Sequence, residues 1–321
     1  MLLTRYTQEQ PRRLLQVVSG IGGIGDQVAR LTAIREALRL DTKLDLRYFV
    51  PDYMFELIFA ATDLQEYLIN DRLEVYDIAE LAEWRNDSQP GVTFTKCHVT
   101  PGRLSLIDEA LITICDTTDE INGEAVYKSY VSIKSGEYKL PVESPVVVVT
   151  GYTAKSREWP VSEVNNYIGW LKSQGHPIVL LGAATLAAKS AEGVNAEGCI
   201  DLRDKTSLLE AHAIMSQAAA VVGVDNGLTH LAGTIVAEFK PELITGYTTI
   251  DPQYRRTPTA RWDIRAQHEV VPPSKLDCRF CQSKFNNLFE HDFRECLYGD
   301  YQCTKSMTAW AFIEASIKAG L

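Results

Sequence analysis

Val17-Val18-Ser19-Gly20-Ile21-Gly22-Gly23-Ile24-Gly25-Asp26 is an apolar run that breaks into four glycines within six positions and closes on a carboxylate. Leu14 to Val18 reads as a buried strand. Gln27 to Leu40 reads as a helix, with Val28, Leu31, Ile34 and Leu38 on one face. The unit is strand, glycine turn, helix. Such a turn brings backbone close to a ligand and aims helix N–H groups at it.

Gly20, Gly22 and Gly25 also fit Gly-x-Gly-x-x-Gly, a weak signal for a dinucleotide fold. Asp26 argues against that reading, because it sits where a pyrophosphate would rest and two anions there repel. A carboxylate in a glycine-lined cleft is better placed to accept a proton from a substrate hydroxyl. The competing reading is that Asp26 only caps the helix.

The chain of 321 residues has room for two domains. Its apolar fraction of 45% and charged fraction of 23% are those of an ordinary globular protein. No apolar run reaches the length of a membrane span, and Met1 to Arg13 lacks the apolar core of a signal peptide, so a cytoplasmic protein is expected. A net charge of −10 disfavours broad binding to nucleic acid.

Strands and helices alternate along the chain, which implies parallel sheets covered on both faces. In the first half, strands are expected at Leu44 to Val50, Tyr67 to Ile69, Val92 to Val99 and Leu111 to Cys115. Short helices are expected around Met54 to Ala61 and Ile78 to Trp84. Residues 117–144 are polar and carry Gly123, Gly136 and Pro141, and the domain boundary is placed there. In the second half, strands are expected at Val146 to Thr150, Ile178 to Leu181, Val221 to Val224 and Leu243 to Thr245. Helices are expected at Ser162 to Ser173, Thr185 to Ala191, Ser207 to Ala219 and Leu228 to Val236. Thr304 to Leu321 reads as a final amphipathic helix with Met307, Trp310, Ile313 and Ile317 packed on the body. The expected division is 1–142, 143–274, a cysteine-rich segment 275–303 and the helix 304–321.

Two loops of the second half carry chemistry. Gly151 to Pro160 leaves the C-terminal end of a strand, where open α/β sheets bind ligands. Lys155 and Arg157 there can meet a phosphate, Arg157 bidentately. In Val222-Gly223-Val224-Asp225-Asn226-Gly227-Leu228-Thr229-His230, Asp225 can accept from sugar hydroxyls or cap the next helix. The N–H groups around Asn226, Gly227 and Leu228 form an anion site. His230 lies one turn further, on the side of Asn226.

These residues together resemble the heptosyltransferase family of glycosyltransferases, family 9. Gly25-Asp26, Arg157-Glu158-Trp159-Pro160 and Asp225-Asn226-Gly227-Leu228-Thr229-His230-Leu231-Ala232 carry the resemblance, and Thr245-Gly246-Tyr247-Thr248 matches more loosely. It implies a GT-B fold, two Rossmann-like domains facing a cleft. It implies transfer of a sugar from a nucleotide-diphospho-sugar with inversion and no catalytic metal. Asp26 would then be the general base on an acceptor hydroxyl. Lys155, Arg157, Asp225, Asn226, Gly227 and His230, with Gly23 and Gly25 of the first turn, would bind the donor and its phosphates. Thr32, Arg157 and Asn226 depart from the residues usual in the family, so the sugar and the acceptor are not inherited. The acceptor can be a saccharide, a protein or, less readily, a modified nucleic acid, and an oligomer is compatible with the sequence. The other classes are an NAD(P)-dependent oxidoreductase, which leaves Asp225 to His230 unexplained, and a non-catalytic nucleotide-sugar-binding protein.

Of seven cysteines, Cys97, Cys115 and Cys199 lie in apolar surroundings. Cys278-Arg279-Phe280-Cys281 is a C-x2-C knuckle, followed by Cys296 and Cys303. Four thiolates at this spacing can close a tetrahedral site, so a structural zinc or iron is expected there, with His291 as an alternative ligand. The placement resembles the metal finger of some protein-modifying heptosyltransferases.

Overall fold

A computed structural model describes residues 14–19, 23–82, 92–96, 107, 110, 111, 114, 131–152, 154–183, 192–235, 241–252, 267–281 and 295–321. Gly20, Gly22, Cys97, Cys115, His291 and the helix expected at 185–191 lie outside them. The chain forms two α/β units. The first sheet is ordered β3-β2-β1-β4, from Leu14–Ser19 (β1), Leu44–Val50 (β2), Leu73–Asp77 (β3) and Val92–Lys96 (β4). The second is ordered β10-β9-β8-β5-β6-β7. Its strands are Val146–Thr150 (β5), Ile178–Gly182 (β6), Ile200–Asp201 (β7), Ala220–Val224 (β8), Glu242–Gly246 (β9) and Gln267–Val270 (β10). Every pairing is parallel.

The valine strand β5 shows why the second sheet is central. Val147 and Val149 face a core shared with the first unit, and Val146 and Val148 face a second core. Both faces are buried, so the strand reads as continuous valine rather than alternation. Helix α1 (Ile24–Leu40) buries Val28, Leu31, Ile34 and Leu38 as expected. It also buries Gln27, Arg30, Thr32 and Glu36: Tyr48 Oη of β2 donates to Gln27 Oε1, Val131 N donates to Thr32 Oγ1 at 3.2 Å, and Glu36 pairs with Arg35 and Arg39 of its own helix.

Several sequence expectations need correction. Tyr67 to Ile69 is not a strand but belongs to helix α3 (Gln65–Ile69), which follows α2 (Phe55–Ala60). Residues 107, 110, 111 and 114 are buried and helical, so Leu111 to Cys115 is not a strand. Their spacing is that of one helix face, which a short apolar run conceals. The end of the chain divides at Ser306–Thr308 into α7 (Gln302–Lys305) and α8 (Ala309–Lys318). Trp310 and Ile317 are exposed, and Phe312 and Ala315 face inward. Phe312 stacks on Trp159 at 3.9 Å, and small Ser316 lets Tyr167 Oη of α4 (Val161–Ser173) approach its Oγ to 2.7 Å.

A strap at 131–135 joins the units. Ile133 bridges Ala61 on one side and Ile235 on the other. Glu56 of α2 reaches the other unit, where its Oε1 accepts from Leu208 N (2.9 Å) and Leu209 N (3.3 Å) at the start of α5 (Leu208–Ser216). The strap's Ser135 Oγ lies 2.9 Å from His212 Nδ1, and Thr234 Oγ1 lies 3.0 Å from its Nε2. Burial depresses the His212 pKa from 6.5 to about 4. The unfolded imidazole therefore takes a proton below pH 6.5, whereas the folded one resists until about pH 4. Stability from this group is present above pH 6.5 and is lost as pH falls towards 4, up to about 3 kcal/mol. Urea melts at pH 7 and pH 4.5 should show a loss that His212→Gln reduces. An equal loss in both proteins would place the acid sensitivity elsewhere.

Candidate functional site

The strand ends of both sheets meet at two helix N-termini. In the first unit, β1 leads to Gly23, whose extended backbone starts α1. Gly23 N donates to Asp26 Oδ2 at 3.1 Å, so Asp26 does cap its own helix. It remains half-exposed in the first turn. Tyr53, in the turn after the neighbouring β2, is near enough to feel its charge: burial first, then Asp26 and Asp52, hold the phenol pKa up. Sequence reading missed Tyr53, since only the pairing of β1 with β2 brings the two turns together.

In the second unit, β8 leads through Asp225 and Asn226 into α6 (Gly227–Ala232). Asn226 Oδ1 accepts from Leu228 N (3.0 Å) and Thr229 N (3.1 Å). Of the N–H groups expected to hold an anion, Leu228 N is thus taken by the Asn226 side chain, and Asn226 N donates to Thr229 Oγ1 at 3.2 Å. Asp225 and His230 are both buried, with His230 Nε2 2.9 Å from Asp225 Oδ1. Arg157 Nη1 stands 3.7 Å from Asp225 Oδ2. Charge and hydrogen bond together fix the Asp225 carboxylate.

The two helix starts touch through glycine. A Cβ on Gly25 would lie 2.7 Å from His230 Cδ2, and one on Gly227 would lie 2.7 Å from Ile24 Cβ. Only hydrogen fits at either position, so His230 works as a spacer between the units. The sequence shows these glycines but not that they face each other.

Lys155 and Arg157 lie on a single helical turn, Lys155–Arg157, at the end of β5. The turn is clamped from the loop after β9, since Thr248 Oγ1 donates to Ser156 O at 2.7 Å. Trp159 behind it is buried against Phe312. Arg157 therefore points from a rigid base, whereas Lys155 is exposed with its Nζ 4.8 Å from the Tyr301 ring centre.

The cysteine segment brings thiols together without closing a site. Cys281 and Cys303 are buried, and Cys278 and Cys296 half-buried. Burial and the neighbouring Cys281, Cys278 and Cys296 push the Cys303 thiol up to about 12. Among the described residues, no three His, Cys, Asp or Glu side chains form a group able to hold a metal ion. None of these four cysteines forms a disulfide. No described helix is long and apolar enough to cross a membrane.

Residues 125–281 match the family model of glycosyltransferase family 9 (heptosyltransferase). No curated protein sequence is a significant match. Among solved structures, the chain is similar to the iron-containing dodecameric glycosyltransferase TibC of enterotoxigenic E. coli H10407. The TM-score is 0.70 at 15% identity, over 96% of this chain and 76% of that one. A TibC complex with ADP-D-β-D-heptose matches at TM-score 0.67 and 15% identity, with the same coverage. A family 9 glycosyl transferase from Veillonella parvula DSM 2008 matches at TM-score 0.66 and 13% identity, over 97% and 98% of the two chains. At these identities the likeness is one of fold.

Proposed function

We propose that the chain, whose residues 125–281 match the family 9 (heptosyltransferase) glycosyltransferase model, transfers a sugar from a nucleoside-diphosphate donor to an acceptor hydroxyl by a single inverting displacement. The observation that carries this reading is the close apposition of α1, bearing Asp26, and α6, preceded by Asp225. It supports a reading in which a base stands on the acceptor side and cationic groups on the donor side, as a direct displacement needs. Asp26 accepts the acceptor proton. Its bond from Gly23 N uses Oδ2 and fixes the carboxylate's direction, so capping and base roles are compatible. Arg157 takes charge developing on the leaving diphosphate, and Lys155 assists. Asp225, aligned by His230 and Arg157, accepts from donor sugar hydroxyls. Asn226, Gly227, Gly23 and Gly25 keep the backbone narrow around the donor. A nucleotide-diphospho-heptose is a reasonable first donor, given the ADP-heptose complex of TibC.

Arg157→Ala should weaken nucleoside-diphosphate binding by roughly 1.5–3 kcal/mol, about 10- to 100-fold. Part of that loss arises because Asp225 stays buried with less positive charge beside it. Calorimetry with wild type and variant is the check. Equal affinities would remove Arg157 from the phosphate role.

We further read Cys278, Cys281, Cys296 and Cys303 as ligands of one structural zinc or iron. Their chemistry suits it: thiols that penalise each other's ionisation are relieved by a cation. Such an ion would hold the segment and leave the cleft chemistry to the residues above. Elemental analysis of protein purified without chelator should find about one equivalent. Under about a tenth, with all four thiols titratable, would contradict it.

A further inference from the structure

We infer that Tyr301 is a positioning residue for Lys155, tying the donor-side loop to the cysteine segment; this rests on Lys155 meeting the donor diphosphate. A lysine ammonium on a flexible four-carbon stem loses rotamer freedom when it meets a phosphate, and a contact that already limits it lowers that cost. Lys155 is exposed, and the face of the Tyr301 ring limits it, with Nζ 4.8 Å from the ring centre. The ring in turn is fixed by its own backbone. Tyr301 has φ 53° and ψ 34°, a left-handed conformation that a bulky side chain rarely adopts. It is held there on all sides. Its N–H donates to Cys296 Sγ at 3.3 Å. Its carbonyl accepts from Thr304 Oγ1 and from Lys305 N, both at 3.0 Å. Its phenol donates to Glu295. Asp300 Oδ1 steadies the same turn, accepting from Gln302 N at 3.3 Å.

The links run from the Cys296 thiol through one peptide and one ring to the Lys155 ammonium. A disturbance of the cysteine segment thus reaches the donor loop without touching Arg157, which is clamped separately through Ser156 and Thr248. The arrangement also gives the 296–303 spacing a use besides metal ligation. Tyr301 lies within the seven-residue gap that sequence reading treats as a spacer, and nothing in the spacing singles it out.

The test is calorimetry with whichever of ADP, UDP, GDP and CDP binds the wild-type chain most tightly. Tyr301→Leu keeps apolar bulk but removes the ring, and should weaken binding about 3-fold. Tyr301→Phe keeps the ring face and should bind like wild type. In a Lys155→Ala background, Tyr301→Leu should have no further effect, because its influence runs through the lysine. An equal additional loss in that background would overturn the inference, as would a Phe variant as weak as the Leu variant. Unchanged binding by Tyr301→Leu, with Lys155→Ala weakened, would also overturn it and leave Lys155 in place. If Lys155→Ala itself binds like wild type, the phosphate role of Lys155 fails, and the inference fails with it.

Discussion

Asp26→Asn should lower sugar transfer at least about 100-fold while nucleoside diphosphate binds as tightly as to wild type. The substitution is chosen because the proposed base also caps its own helix. Its Oδ2 accepts from Gly23 N, and an asparagine oxygen can do the same. Stability should therefore change little. What the amide cannot do is take a proton from the acceptor. Single-turnover assays with labelled donor separate the roles. Near-normal transfer by the variant would reduce Asp26 to a cap. A large loss of stability with a small loss of rate would say the same.

Gly25→Ala should be nearly as damaging, for a reason of space. The added Cβ meets the His230 ring at 2.7 Å. That ring is buried, and its Nε2 is bonded to Asp225, so it cannot simply swing away. Alanine in a helix gains up to about 1 kcal/mol over glycine. Overpacking a tight contact costs typically about 1–3 kcal/mol, and it wins. The strain is relieved by moving α1 away from α6, which carries Asp26 from the donor. A displacement on the order of 1 Å can cost about 100-fold in rate. Nucleoside-diphosphate affinity should be nearly preserved, because Arg157 and Lys155 stay in place. A variant as active as wild type, and more stable, would show slack between the units.

The elements that position the site were largely legible in the sequence because local pattern and burial agree there. The valine strand β5, the strand Leu44–Val50 and the first helix follow from apolar runs and spacing. Gly25-Asp26 and Asp225 to His230 stood out as strand-to-helix turns, and both lie at strand ends. Illegible were features that exist only between units. Glu56 looks like a surface carboxylate until α5 is brought to it. Arg30 and Glu36 look like the wet side of α1, yet both are buried. The half-buried strand β3, the short β7 and the edge strand β10 were missed, since none has an apolar run long enough to stand out. The last helix misled for a related reason. Trp310 and Ile317 are its conspicuous apolar residues, but the surface it meets is shaped for Phe312 and small side chains, so the larger ones face out.

If the second unit holds a nucleoside-diphosphate sugar beside Arg157 and Asp225, as proposed, binding of that ligand depends on Arg157. The most direct measurement is a thermal-shift titration of nucleoside diphosphates, nucleotide sugars and nicotinamide dinucleotides against wild type and Arg157→Ala. Binding to the folded chain alone stabilises it by mass action, about 2.7 kcal/mol at a ligand concentration 100 times Kd. One nucleoside diphosphate and its sugar conjugate should raise the wild-type Tm, with the shift largely lost in Arg157→Ala. A chain that ignores every nucleoside diphosphate and nucleotide sugar, or that responds only to a nicotinamide dinucleotide, would contradict the account.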